Sequence, residues 1–153
     1  CVRAYRYLQD HQKSIKHLGR ILAIDYGQIR CGLAVTDPLN LFASPLETVP
    51  RRALMQRLME LQVQYDIDKI VIGLPLHPTG EEVQLEPSIQ ALIKGITKKL
   101  PTVEIDRQNE SYSSAEAMEL MVKMGVKRNK RSKKENLDKM AAAIILQRYL
   151  GNV

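Results

Sequence analysis

The chain has 153 residues, 44% of them hydrophobic, and a formal net charge of +6. That length suits one domain with a full core, and the longest apolar run, Met140–Leu146, is far too short to cross a membrane. Two cysteines, Cys1 and Cys31, are too few for a disulfide framework and lack metal-ligand spacing, which favours the cytoplasm.

Residues 1–18 read as a polar extension, too polar for a secretory signal, and 19–153 as a single domain. The first residue is Cys1 and not Met, which fits a start inside a longer protein. A first strand is expected over Arg20–Ile24, ending on Asp25, with a turn at Gly27 and a second strand over Cys31–Thr36. Asp37-Pro38 breaks the pattern, and Leu41–Thr48 forms a short third strand. Leu54, Leu58, Leu61 and Tyr65 fall at helical spacing within Arg51–Tyr65. The apolar run Lys69–Leu74 predicts a buried central strand, and Pro75–Glu86 a loop.

Pro87 suits the first turn of a helix that runs to Leu100 and buries Ile89, Leu92, Ile93 and Ile96. Val103–Gln108 is the next strand. Ser113 or Ser114 caps a helix through Met124, which Gly125 closes. Ser132 and Glu135 form a capping box for a last helix that ends at Leu150 before Gly151. Three strands in a meander followed by alternating helices and strands predict an α/β fold. Its sheet is mixed and five-stranded, antiparallel at first and then parallel, with helices on both faces.

Three acids stand where a metal site could be built. Asp25 ends the first strand, Glu110 follows the last strand, and Asp138 shares a helix face with Ala142, Ile145 and Tyr149. An acid at the edge of an apolar face is costly unless paired. The row Ala141-Ala142-Ala143 lets that helix approach the sheet closely, bringing Asp138 toward the strand ends. Carboxylate clusters suit Mg2+ or Mn2+, which can activate water for phosphodiester cleavage. The competing readings are plainer: Asp25 bonded to turn amides, Asp138 paired with Lys134, and Glu110 as a loop acid.

Lys123, Lys127, Arg128, Lys130, Arg131, Lys133 and Lys134 crowd one stretch. Such a cluster matches the footprint of phosphate contacts, and equally a solvated charge run. No Walker loop, GxGxxG or nucleophile elbow is present, and His11, His17 and His77 lack ligand spacing.

The motif Asp25-x-Gly27-x-x-Arg30-x-Gly32-x-Ala34-x-x-Asp37 resembles the YqgF/RuvX family of the ribonuclease-H-like superfamily. Gly73-Leu74-Pro75, the segment around Glu110, and Leu137-Asp138 with Ala141-Ala142 and Ile145-Leu146-Gln147 extend the likeness over Gly19–Leu150. That family is described as Holliday junction resolvases and as nucleases that mature precursor 16S ribosomal RNA. The resemblance implies a ribonuclease-H-like sheet, with Asp25, Glu110 and Asp138 as both the catalytic and the metal-binding set for Mg2+ or Mn2+. It also implies phosphate contacts from Arg30 and from Lys127, Arg128, Lys130, Arg131, Lys133 and Lys134.

The chain departs from the family at Asn109-Glu110-Ser111, where the usual pattern is Asp-Glu-Arg. Two readings follow, a metal-dependent endonuclease on branched DNA or precursor ribosomal RNA, and a binding module with weakened or lost cleavage. A third, an actin-like sugar kinase or ATPase, also begins with Asp-x-Gly, but one domain cannot supply two ATP-clamping lobes. The expected partner is nucleic acid and not a membrane, and the expected state is a monomer or homodimer.

Overall fold

A computed structural model describes residues 19–73, 81–108, 119, 122, 123, 125, 127 and 134–151, with the backbone alone at 81–84 and at 134 and 135. Five strands form one mixed sheet: β1 (Arg20–Tyr26), β2 (Arg30–Thr36), β3 (Ala43–Pro50), β4 (Ile67–Gly73) and β5 (Glu104–Gln108). Their spatial order is β3-β2-β1-β4-β5. β1 pairs antiparallel with β2 and parallel with β4, β2 pairs antiparallel with β3, and β4 parallel with β5. The mixed sheet expected from the meander and the later alternation is therefore present.

Both edges follow from composition. β3 carries Pro45 and Pro50, which an outer strand tolerates because one side of its ladder is unpaired. β5, EIDRQ, is short and charged, which discourages further pairing. A register shift between Leu33 and Ala34 falls opposite Pro45.

Alternation along the strands divides the core in two. Leu22, Ile24, Leu33, Ile70 and Ile72 face α1 (Leu54–Tyr65) and α2 (Glu81–Lys99), with Leu58, Leu61, Ile89 and Ile96 from those helices. Ala23, Ala34 and Val71 face α3 (Lys134–Tyr149), with Ala141, Ala142, Ile145 and Leu146. The small residues on that side let α3 sit close to the sheet, as the alanine row predicts. Among the described residues no helix is long and apolar enough to cross a membrane.

Two expectations about helices need correction. Arg51–Ala53 is a 3-10 turn, and the α-helix begins only at Leu54. More consequentially, α2 starts at Glu81, so residues 81–86 are helical and not loop, and Pro87 lies inside the helix. An internal proline costs about 3 kcal/mol or more. Tertiary contacts offset it: Leu85 is buried in the core, and Glu86 takes two 3.0 Å hydrogen bonds from the Arg107 guanidinium on β5. Residues 81–84 hold one apolar side chain, Val83, which is too little periodicity to announce this start. Gly125 has φ 74 and donates to the Val122 carbonyl, the left-handed closure expected there. The expected extension 1–18 and the caps at Ser113, Ser114 and Ser132 lie outside the described residues.

Candidate active site

The site lies where β1 and β4 end. Register sets Gly32, Asp25, Gly73 and Gln108 in one row across four strands. Asp25 alternates with Ala23 and therefore shares the α3 face with Gly32 and Gly73. Those glycines make room for the helix. A Cβ on Gly32 would stand 1.8 Å from the Asp138 carbonyl oxygen, and one on Gly73 would stand 2.3 Å from Ile145 Cδ1. No side chain fits in either place, so α3 lies directly across the row and carries Asp138 to it.

Asp25 is 8% exposed, and its Oδ1 is buried without a hydrogen-bond partner among the described residues. Burial, and then the neighbouring charge of Asp138, push its carboxyl up from 3.8 to about 8. Among the described residues no cation pairs with this carboxylate. The plainer reading, in which Asp25 bonds to turn amides, does not account for the unpartnered Oδ1.

Asp138 is half-buried and accepts from Arg30 Nε at 2.5 Å. Arg30 begins β2 with the parity of Gly32 and Ala34, so it points toward α3. The plainer expectation paired Asp138 with Lys134, whose side chain lies outside the described residues; the partner found is Arg30. Its role as a phosphate contact now competes with this ion pair. Strand parity is the available signal, because Arg30 alternates with residues that must face the last helix.

Glu110, the third expected acid, lies outside the described residues, two positions beyond Gln108 at the end of the same row. Among the described residues no three His, Cys, Asp or Glu side chains group together. In the basic stretch Lys123 and Lys127 are exposed, while Arg128, Lys130, Arg131 and Lys133 lie outside the described residues.

A family model described as RuvX, Holliday junction resolvase, matches residues 19–152. The chain belongs to that family. RuvX relatives carry the name "Putative pre-16S rRNA nuclease". One from Chlorobium chlorochromatii is 38% identical over 86% of this chain and 94% of its own. Another from Porphyromonas gingivalis is 36% identical over 88% of this chain and 98% of its own. A third, from Amoebophilus asiaticus, is 37% identical over 88% and 96%.

Solved structures share the fold. T. thermophilus RuvC in complex with a Holliday junction substrate aligns with TM-score 0.55 at 17% identity, covering 88% of this chain and 97% of that one. Fowlpox virus resolvase with Holliday junction DNA aligns with TM-score 0.55 at 13% identity, covering 86% and 97%. The RuvX assignment thus agrees with the ribonuclease-H-like sheet expected from the motifs.

Proposed function

We propose that the chain is a metal-dependent endonuclease that hydrolyses phosphodiester bonds in structured nucleic acid, either branched DNA or precursor 16S ribosomal RNA. The observation that carries this is the buried Asp25 carboxylate, with one oxygen unpartnered among the described residues, beside Asp138 at the end of the central strands. Metal use is general among such nucleases, and the donor set fits. Its oxygens are all carboxylate, the choice of Mg2+ and Mn2+, and a cation would supply the counter-charge that Asp25 lacks. Asp25 and Asp138 would hold the ion, joined by Glu110. The chemistry such an ion supplies when bound is activation of water and stabilisation of the leaving oxygen.

The chain's own residues supply the rest. The β1–β4 row fixes Asp25 on a rigid strand end. Arg30 orients Asp138 and adds positive charge beside the scissile phosphate. Lys127, Arg128, Lys130, Arg131, Lys133 and Lys134 contribute affinity without sequence preference through counterion release. On this reading the protein works in the cytoplasm, and symmetric resolution of a junction would need a homodimer.

A second reading, a binding module with weak or lost cleavage, is favoured by two observations. Arg30 already neutralises one Asp138 oxygen, and the Asn109 and Ser111 departures flank Glu110. Incubation of the protein with a four-way junction and with precursor 16S RNA, in Mg2+, Mn2+ or EDTA, separates the two. Cleavage that EDTA removes supports the nuclease; tight binding without cleavage in either metal supports the module.

A further inference from the structure

Directly after Asp25, Tyr26 turns to the opposite face of the sheet and is buried, with Arg51 and Ser88 beside it. There a cleft of about 930 Å3 opens between the β1–β2 turn, the 3-10 turn and α2. The Arg51 guanidinium lies 5.1 Å from the Tyr26 ring centroid and donates to the Gln28 carbonyl at 3.3 Å. It is thus held in place without a carboxylate. Arg52 is exposed and, among the described residues, forms no ion pair. No acid lines the cleft among the described residues. Apart from Gln28 and Ser88, its other walls are apolar, among them Met55, Leu92, and Ile29 at 79% exposed.

Two unneutralised guanidinium groups beside an apolar wall suit a ligand that is anionic along its length and flat and apolar at intervals. That is the chemistry of an unpaired nucleic-acid strand. A duplex hides its base faces and presents phosphates only, and an all-acidic peptide such as poly-glutamate has no flat apolar surface. The volume admits a nucleotide. On the nuclease reading above, we propose that this cleft binds a single-stranded stretch of the substrate, with phosphates on Arg51 and Arg52 and a base against Ile29 and Met55. The strand then crosses the end of β1, from the α3 face that carries Asp25 to the α1 and α2 face that carries the cleft. Substrates with unpaired residues beside the cut site are preferred over unbroken duplex.

The test uses the full chain in EDTA, so that binding is read apart from cleavage. The protein contains no tryptophan, so Ile29→Trp installs a single reporter at an exposed position that folding does not depend on. A short oligothymidylate should quench its fluorescence by base stacking, whereas a blunt duplex of equal length and a poly-glutamate peptide should not. Arg51→Gln/Arg52→Gln should weaken oligothymidylate binding by about tenfold or more and lower its salt slope by about 0.7 for each phosphate no longer neutralised. Duplex affinity should change by less than about twofold. Arg52→Gln alone breaks no ion pair among the described residues, so it gives the same direction of change without a folding cost.

Absence of quenching, equal weakening of single strand and duplex, or poly-glutamate binding abolished in the same variants would overturn the proposal. If those variants bind single strands as tightly as wild type while EDTA-sensitive cleavage persists, the cleft fails and the nuclease reading stands. If no nucleic acid binds and none is cut, both fail.

Discussion

Replacing Asp25 with Asn should remove a loss of stability that the wild type suffers as pH rises. In the folded protein the carboxyl titrates at about 8 against a reference of 3.8, because it is buried beside Asp138. The folded state therefore binds the proton more tightly than the unfolded chain. Stability from this group is full below the unfolded value and is lost as pH rises from about 4 through about 8. The slope over that window is about 1.4 kcal/mol per pH unit. Between pH 5 and pH 7 the loss is about 3 kcal/mol, or roughly 10 °C in Tm for a domain of this size.

Asn copies the shape of the protonated acid and does not titrate. Melting curves of wild type and Asp25→Asn in EDTA, across that range, should diverge by this amount, with the variant gaining relative to wild type as pH rises. The difference between the two proteins cancels the titrating groups that do not feel the charge of Asp25. Saturating Mn2+ should then stabilise wild type at pH 8, where the ionised carboxylate is the form that binds, and leave Asp25→Asn nearly unchanged. Parallel curves in EDTA would refute the reasoning, because Asp25 would then ionise in the fold as it does in water.

Further outcomes follow from the same contacts. Gly32→Ala drives a methyl into the Asp138 carbonyl and should cost about 3 kcal/mol or more, with loss of the Mn2+ response, read by melting with and without metal. Gly95→Ala meets the movable Met55 Cε at 2.8 Å on a helix, so it should be neutral or stabilise by up to about 1 kcal/mol. Arg30→Gln removes the cation from Asp138 and should enlarge the Mn2+-induced rise in Tm while weakening nucleic-acid binding measured in EDTA. Glu86→Gln breaks the bidentate pair with Arg107 that ties the first turns of α2 to β5. That pair is partly exposed, so the cost should stay near about 1 kcal/mol by chemical denaturation.

Local pattern makes much of this fold readable. The alternation of Leu22, Ile24 and Tyr26 against Ala23 and Asp25 fixes which face of β1 carries the acid. The alanine row fixes how closely α3 approaches. Strand parity and helix periodicity alone therefore bring Asp25 and Asp138 together. What stays hidden depends on partners distant in the chain. Arg30 finds Asp138 across 108 positions, and residues 81–86 become helical because Leu85 and Glu86 meet the core and Arg107. Pro87 points to a later start, since a first-turn proline is the common arrangement and a tolerated internal one leaves no local mark. Arg51 and Arg52 resemble ordinary helix-start cations until the chain around Tyr26 gives them a shared wall.

The most direct measurement is single-turnover cleavage of a labelled four-way junction and of precursor 16S RNA by wild type, Asp25→Asn and Asp138→Asn, in Mn2+ and in EDTA, with binding measured on the same samples. The expected result is cleavage by wild type that EDTA abolishes, and loss of at least about a hundredfold in either variant with binding retained. Cleavage that survives EDTA, or survives undiminished in Asp25→Asn, would contradict a metal centre built on these acids.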